Sequence, residues 1–317
     1  MIELNGICKQ FRVARRGAGL SRAVRAFLKR DHQVIHALTD VTFAIPDGQM
    51  VGYIGPNGAG KSTTIKVMCG VLTPDSGTCV IDGRVPWLER VAHVQHIGAV
   101  FGQRSQLWWD VPVGDSMELI RAIYRVDKAD FRARLSELTE LLQLGDLLAT
   151  PARSLSLGQR MRCELAASLL HAPRILFLDE PTIGLDAVSK LAVRGFIKRL
   201  NQERGTTVLL TTHDMQDIEA LAQRILLIGK GRILLDGGMA DLKAHAGTGK
   251  TLTFTYAGDS APLPGHGMTV REQTAGRLTV AVDTNTLSVS QAITQISAQV
   301  EGTDIEMASV SAEEMVA

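Results

Sequence analysis

Residues 55–62 read Gly-Pro-Asn-Gly-Ala-Gly-Lys-Ser, which has the residue types and the spacing of a phosphate-binding loop. Glycines let successive backbone N–H groups point at one phosphate, where side chains would obstruct them. The Lys61 ammonium group reaches the β- and γ-phosphate oxygens, and the Ser62 hydroxyl is a ligand for Mg²⁺. An ordinary glycine-rich turn is the alternative, but a strand predicted before the loop and a helix predicted after it favour a nucleoside triphosphate site. The predicted contacts are Gly55, Pro56, Asn57, Gly58, Ala59, Gly60, Lys61, Ser62 and Thr63.

Two carboxylates follow the apolar run Ile175–Leu178, which ends in Asp179 and Glu180. A buried parallel strand of this composition carries its carboxyl end to the edge of the sheet where ligands bind. Asp179 is predicted to hold Mg²⁺, directly or through water, and Glu180 to orient or deprotonate the water that attacks the phosphate. In the alternative, the acidic end of the strand only caps a loop, and the phosphate loop makes that interpretation the weaker one.

A third segment, Arg153–Arg160, carries serines and Gly158 directly before a predicted helix. Backbone N–H groups at a helix N-terminus attract anions, so this segment is a second candidate phosphate site. Serine is also a common helix N-cap, and the segment alone does not distinguish the two roles.

Together with two further segments, these motifs resemble the ATP-binding subunit of ABC transporters, in the order of that family and across residues 55–213. The phosphate loop corresponds to Walker A, and Asp179-Glu180 corresponds to Walker B. Leu155–Gln159 looks like the family signature, Thr182–Asp186 looks like the D-loop, and Thr212-His213-Asp214 looks like the segment of the switch histidine. The resemblance implies that the nucleotide is ATP, that Mg²⁺ accompanies it, and that the chain hydrolyses it.

The resemblance also implies a dimer in which two subunits pack head to tail. ATP on the Walker A loop of one subunit is then closed by the signature of the other, at Ser156, Leu157, Gly158 and Gln159. The signature of the family commonly has two glycines, and Leu157 stands in place of the first.

Four more site residues follow from the same resemblance. His213 is expected to contact the γ-phosphate, with a structural histidine as the alternative, and Asp186 is the D-loop aspartate. Gln103 follows the predicted strand Gly98–Phe101 and fits the Q-loop position that senses Mg²⁺ and the γ-phosphate; a plain surface glutamine is the alternative. Phe11 occupies the position of the aromatic residue that stacks on adenine, unless it is a core residue.

The elements that must position these residues form an α/β pattern from about residue 40 to 235, in which apolar runs alternate with helical stretches. The expected fold is an α/β P-loop NTPase core of the ABC ATPase type with a helical subdomain at about 104–172. The ATP-binding domain is predicted at 1–240. A glycine-rich patch follows it, and residues 248–317 are predicted to form a small accessory α+β domain.

The predicted elements of the core are helices at Lys61–Cys69, within 114–144 and at Arg160–Leu170, and strands at Val51–Ile54 and Val208–Thr211. In the accessory domain, strands are predicted at Thr251–Tyr256, at Leu278–Val282 and near Ile305, and a helix at Ser288–Val300.

Two of the three tryptophans, Trp108 and Trp109, are adjacent in a chain that is only 4% aromatic. In transporter ATPases this region forms the groove that receives the cytoplasmic coupling helix of the permease; packing inside the helical subdomain is the alternative. The stretch Phe101–Asp110 resembles a subgroup of ABC-2-type exporter ATPases, including viologen-exporter-like ones, that work with two separate permease chains. Integral-membrane permease subunits are therefore the expected partners.

The formal net charge of +1 excludes a generally basic nucleic-acid-binding protein, but the charge is unevenly distributed. Residues 12–30 carry seven basic residues and no acidic one, whereas residues 248–317 carry three basic and eight acidic residues. An amphipathic insertion is predicted at about 14–31, and residues 16–30 are expected to contact a membrane surface or a permease. A solvated insertion is the alternative.

Scattered cysteines, no signal-peptide pattern and no apolar run of membrane-spanning length predict a cytosolic protein that does not cross a membrane by itself. The resemblance to transporter ATPases implies a peripheral location at the cytoplasmic face of the inner membrane. A soluble ABC-type ATPase of DNA repair or translation is the alternative function. Such proteins usually carry two cassettes, long coiled coils or zinc sites, and the sequence shows one cassette with no heptad run and no C-x-x-C pair. A P-loop kinase or GTPase would not explain the signature and the switch histidine.

Overall fold

The computed structural model describes residues 1–14, 32–102, 105–245, 250–257 and 262–309. Nearly all of the predicted basic insertion lies outside the described residues, and so does Gln103. The chain divides into two compact units, Met1–Asp236 and Gly237–Ala317. The domain boundaries drawn from the sequence stay a prediction.

The first unit contains a three-stranded antiparallel sheet in the order β2-β1-β4, formed by β1 (Ile2–Ala14), β2 (His32–Ile45) and β4 (Ser76–Ile81). The sequence predicts only a strand near Val41 in this region. The register of β1 shifts between Leu4 and Ile7 and again before Lys9, and such bulges break the alternation of buried and exposed residues that identifies a strand.

A six-stranded sheet forms the centre of the first unit and follows the order β5-β6-β7-β3-β8-β9. Its strands are β3 (Met50–Ile54), β5 (Ile97–Phe101), β6 (Ile175–Asp179), β7 (Thr207–Thr211), β8 (Arg224–Gly229) and β9 (Arg232–Gly237). The strands from β5 to β8 in this order are parallel. Every residue of β3 and β7 is buried, as expected for strands covered on both faces. The carboxyl ends of β3, β6 and β7 therefore meet at one edge.

The helices of the first unit are α1 (Lys61–Met68), α2 (Arg90–Val94), α3 (Val113–Tyr124), α4 (Lys128–Leu142), α5 (Leu157–Leu169), α6 (Ala187–Arg204) and α7 (Met215–Leu221). The predicted block 114–144 is two helices, because Asp127 caps the start of α4 with its side chain. Helix α5 begins three residues before the predicted Arg160, because Ser156 and Gln159 form a capping box. None of the described helices is both long and apolar enough to cross a membrane.

Two hydrophobic clusters cover the two faces of the central sheet. One cluster joins the antiparallel sheet and α1 to the central sheet through residues such as Ile2, Phe43 and Ile65. The other cluster joins helices α3, α4, α5 and α6 to the opposite face, with Met117 and Phe196 fully or nearly buried. Burial of this apolar area holds the carboxyl edge of the sheet in a fixed geometry.

His171 joins the helical subdomain to the sheet. Its ring stacks on Tyr124 of α3 with 4.0 Å between ring centroids, and its Nε2 lies 2.8 Å from the carbonyl oxygen of Ile97 in β5. Burial, with a smaller contribution from the nearby charge of Arg134, lowers the pKa of His171 to about 4. The imidazole is therefore neutral at pH 7, and Nε2–H donates to the carbonyl.

The second unit is an antiparallel sheet with a helix packed on one face. It contains α8 (Met239–His245), β10 (Lys250–Ala257), β11 (Met268–Thr274), β12 (Arg277–Val282), α9 (Val289–Ser297) and β13 (Glu301–Ser309), with strand order β11-β12-β10-β13. Phe254, Val280 and Ile296 are fully buried in its core. The sequence does not predict β11, most of whose side chains are exposed and give no alternating pattern.

Acidification from about pH 7 to pH 4 is expected to lower the free energy of unfolding through His171. The unfolded imidazole takes up a proton near pH 6.5 and the folded one only near pH 4, so the stabilisation is complete above pH 6.5 and is lost as the pH falls toward 4. The loss is about 2 to 3 kcal/mol at pH 4. Urea titrations across this range measure it.

His171→Gln retains an N–H for Ile97 but does not titrate, so its free energy of unfolding should fall less steeply with acidification than that of the wild type. His36→Gln, which replaces an exposed histidine of β2, should follow the wild-type curve and is the control. Identical curves for His171→Gln and the wild type would contradict this account.

Candidate functional site

The predicted phosphate loop connects the carboxyl end of β3 to the first turn of α1. Gly58 and Gly60 have φ values of 78° and 114°, and a Cβ on Gly60 would lie 2.7 Å from the carbonyl oxygen of Ala37. Only glycine fits at this position. Lys61 is 6% exposed, and its Nζ donates to the carbonyl oxygens of Gly55 at 2.6 Å and Pro56 at 3.0 Å. The ammonium group is thus held across the loop that is predicted to hold the phosphates.

The acidic end of β6 is fixed by the neighbouring strand β7. The Thr211 hydroxyl donates to Asp179 Oδ1 at 2.7 Å. The backbone N–H of Glu180 donates to both the carbonyl and the hydroxyl oxygen of Thr211, each at 3.1 Å. Glu180 has φ 56°, a left-handed conformation that an L-residue adopts only when its surroundings stabilise it. These bonds supply that stabilisation.

Glu180 and His213 are in direct contact. Nε2 of His213 lies 2.6 Å from Oε1 of Glu180, and the side chains are 34% and 20% exposed, respectively. Both line a cleft of about 330 Å³ whose walls also include Asn57, Ser62, Gly102 and Asp179. The structure therefore brings the end of the phosphate loop, the acidic strand end and the predicted switch histidine to one cleft. Their arrangement suits the orientation of a water molecule at a terminal phosphate.

The oxygen donors in this cleft fit Mg²⁺. The hydroxyl of Ser62 and the carboxylate of Asp179 are hard ligands, and both residues line the cleft. Within the described residues, no group of three or more His, Cys, Asp or Glu side chains could hold a metal ion.

The signature segment lies at the start of α5. Ser156 Oγ accepts the N–H of Gln159 at 3.2 Å, and the side-chain oxygen of Gln159 accepts the N–H of Ser156 at 2.8 Å. The hydroxyl thus has the helix-capping role that the sequence left open. A Cβ on Gly158 would lie 2.6 Å from Ser189 Oγ, and a Cβ on Gly184 would lie 2.6 Å from Leu157 Cδ2. We call the cleft that Glu180 and His213 line the Glu180 cleft. Among the described residues that line it, none belongs to the signature segment.

Asp186 and Phe11 lie apart from that cleft. Asp186 caps α6, and its carboxylate accepts the N–H of Ser189 at 2.8 Å and the Ser189 hydroxyl at 2.9 Å. The bond from the Ser189 N–H lowers the pKa of Asp186. Phe11 is 36% exposed, and Lys9 Nζ lies 5.9 Å from the centre of its ring. The exposed ring is not a core residue.

Glu164 is a buried carboxylate that the sequence analysis missed. It lies on α5 and accepts the Ser105 hydroxyl, and the Gln106 N–H donates to its Oε2 at 3.2 Å. Gln106 Nε2 also donates to the backbone oxygen of Glu164 at 3.1 Å. Burial raises the pKa of Glu164, although these bonds act against the increase. The cluster attaches the loop that follows Gln103 to the signature helix. In the sequence, the signal that could have identified this site is one acidic residue, Glu164, on a mostly apolar face of α5.

Both tryptophans of the segment after Gln103 are partly exposed. Trp108 is 42% exposed, with its backbone N–H bonded to the Ser116 hydroxyl at 3.1 Å. Trp109 is 50% exposed, and the Arg160 guanidinium lies 5.5 Å from its ring centre. Neither ring is enclosed in the helical subdomain, so the alternative of core packing does not hold.

The chain matches known ATP-binding proteins in sequence. Residues 38–183 match the family described as ABC transporter. The chain is 34% identical over 197 residues to the uncharacterized ABC transporter ATP-binding protein YhcH of Bacillus subtilis (strain 168), and the match spans 62% of this chain and 63% of YhcH. It is 32% identical over 218 residues to the linearmycin resistance ATP-binding protein LnrL of the same strain, spanning 69% of this chain and 70% of LnrL.

The fold is also similar to that of a solved cassette. The dimeric structure of a post-hydrolysis state of the ATP-binding cassette MJ0796, bound to ADP and Pi, superposes with a TM-score of 0.64 at 26% identity. The similarity covers 75% of this chain and 99% of the MJ0796 chain. The predicted fold class is thereby confirmed. Since the chain also covers 70% of LnrL at 32% identity, it belongs to the ABC transporter family and is one of its ATPase cassettes.

Proposed function

We propose that this chain is the ATP-hydrolysing subunit that energises a membrane exporter of the ABC-2 type. The observation that carries the proposal is the direct contact of Glu180 with His213, 2.6 Å apart, in the cleft that also contains Ser62 and Asp179. A base and a γ-phosphate sensor beside a phosphate loop are the groups that hydrolysis of a bound nucleoside triphosphate needs.

The proposal assigns a role to each side chain of the site. Lys61 and the loop N–H groups bind the phosphates, and Ser62 and Asp179 hold Mg²⁺, which neutralises charge on the phosphate oxygens. Glu180 orients and deprotonates the attacking water, and His213 holds Glu180 and contacts the γ-phosphate. Gln103, which lies outside the described residues, is proposed to sense Mg²⁺ and the γ-phosphate, as the resemblance implies. Phe11 offers an exposed ring for stacking on adenine.

The complete site is proposed to need a second copy of the chain. The signature segment of α5 does not line the Glu180 cleft of its own chain, among the residues described, although its helix N-terminus suits a phosphate. A head-to-tail dimer would place the signature segment of one copy over the nucleotide of the other, as the resemblance implies. The dimeric state of the MJ0796 cassette supports a dimer of this chain.

The proposed partners are permease subunits in the membrane, two separate chains in an exporter of this type. The name of LnrL assigns that protein to linearmycin resistance, which supports an exporter rather than an importer. The partly exposed Trp108 and Trp109 provide apolar area for a permease helix beside the loop that follows Gln103. A peripheral position at the cytoplasmic face of the inner membrane follows from such partners.

Glu180→Gln is expected to bind ATP and to hydrolyse it at least about 100-fold more slowly, because the amide cannot accept the proton of the water. The variant should accumulate as an ATP-held dimer. Phosphate release and size-exclusion chromatography with Mg²⁺-ATP measure the two effects. Glu203→Gln, which replaces an exposed glutamate near the end of α6, should behave as the wild type and is the matched control. Phosphate release by Glu180→Gln at the wild-type rate would overturn the proposed role of Glu180.

Trp108→Ala/Trp109→Ala is expected to lose most of its association with permease chains, because it removes the two largest exposed apolar side chains of this segment. The measurement is co-purification of integral-membrane proteins with a tagged chain from detergent-solubilised membranes. Leu234→Ala, at an exposed apolar residue of the edge strand β9, is the control and should co-purify as the wild type does. Equal recovery of membrane proteins with the double variant and the wild type would exclude Trp108 and Trp109 as the permease-binding surface. Recovery of nucleic acid or ribosomes with the wild type would favour a soluble ABC-type ATPase of DNA repair or translation.

A further inference from the structure

A buried carboxylate lies behind the Glu180 cleft and takes no part in the proposed chemistry. Asp217 of α7 is 0% exposed. Its Oδ2 accepts the hydroxyl of Thr182, and that of Thr212 at 2.8 Å, while Arg194 Nε donates to Oδ1. We call Asp217 and these three donors the Asp217 cluster. Thr182 and Thr212 are themselves 3% and 4% exposed, so water does not substitute for either hydroxyl.

The three donors come from three different segments of the chain. Thr182 lies two residues after Glu180, Thr212 lies directly before His213, and Arg194 lies in the middle of α6. A buried carboxylate is tolerated only when its oxygens receive such donors, and removal of one donor leaves an unsatisfied charge. The cluster therefore holds the turn after Glu180 and the turn before His213 at a fixed separation.

The backbone around Glu180 shows why that separation matters. Glu180 adopts a left-handed φ of 56°. Its Oε1 lies 2.6 Å from Nε2 of His213. Thr211 fixes the N–H of Glu180, but the chain after Glu180 is held through Thr182. A shift of about 1 Å in such a constellation costs on the order of 100-fold in rate.

We propose that Asp217 is a positioning residue: through the hydroxyls of Thr182 and Thr212 it sets the distance between Glu180 and His213. This inference rests on the proposed roles of Glu180 and His213 in hydrolysis. Asp217 itself does not touch the reacting atoms. Arg194 completes the cluster and also donates to Asp214 at 3.2 Å, which anchors the start of α7 to α6.

Thr182→Val is the sharpest test, because it keeps the shape of the side chain and removes only the hydroxyl that Asp217 accepts. The kcat of ATP hydrolysis is expected to fall about tenfold or more, while the Kd for ATP changes by less than about threefold. Thr182→Ser retains the hydroxyl and should restore kcat to near the wild-type value. A kcat of Thr182→Val equal to that of the wild type would refute the proposal.

Thr207→Val is the matched control. Thr207 is 1% exposed at the opposite end of β7, and its hydroxyl accepts the N–H of Gly48 at 2.8 Å. This variant also loses one buried hydrogen bond and should show a similar fall in Tm, but its kcat should stay within about twofold of the wild type. An equal loss of kcat in both variants would show that reduced stability, rather than positioning, explains the result.

Combining Thr182→Val with His213→Ala distinguishes a positioning role of the Asp217 cluster from a purely structural one. If the Asp217 cluster acts through the Glu180–His213 contact, Thr182→Val should cause no further loss of residual turnover in His213→Ala, which has already lost that contact. A full tenfold additional loss in this background would refute the proposal. Failure of the proposed function is recognised independently, because Glu180→Gln and His213→Ala would then hydrolyse ATP at the wild-type rate.

Discussion

The site depends on one constraint, which is the attachment of the turn at Glu180 to the end of the adjacent strand β7. The N–H of Glu180 and the carboxylate of Asp179 both bond to Thr211, and this holds Glu180 in a left-handed conformation with its carboxylate against His213. Without that attachment, the conformation would be unfavourable by about 1 to 3 kcal/mol. Parallel pairing of β6 and β7 places the two strand ends side by side, and burial of both strands keeps them there.

Two buried acidic residues, Asp217 and Glu164, connect segments around the cleft to the surrounding helices. Asp217 bonds the turns on both sides of the Glu180–His213 contact, and Glu164 bonds the loop after Gln103 to the signature helix. Both are buried and receive several donors, so each specifies one arrangement of its segments. The apolar core supplies stability, and these polar contacts supply the geometry of the cleft.

The sequence predicted the parts of the site that depend on local residue order. The phosphate loop needs Gly60 because a Cβ there would clash with the Ala37 carbonyl oxygen. This glycine is part of the motif by which the loop was predicted from the sequence. The apolar strand before Asp179 and the fold class were predicted for similar reasons, and the fold class is confirmed. The bulged strand β1 was missed, because its register shifts remove the period of two on which strand prediction relies. Asp217 and Glu164 were missed as well, because their donors are 5 to 59 residues away in sequence.

We expect Thr211 to set the geometry of hydrolysis without taking part in nucleotide binding. The most direct measurement is the single-turnover rate of ATP hydrolysis by Thr211→Val, which retains the β-branched shape but loses the hydroxyl between Asp179 and Glu180. Thr211→Val should hydrolyse ATP at least about tenfold more slowly than the wild type and should still bind ATP. A wild-type rate in this variant would contradict the role of Thr211 in setting the geometry of hydrolysis.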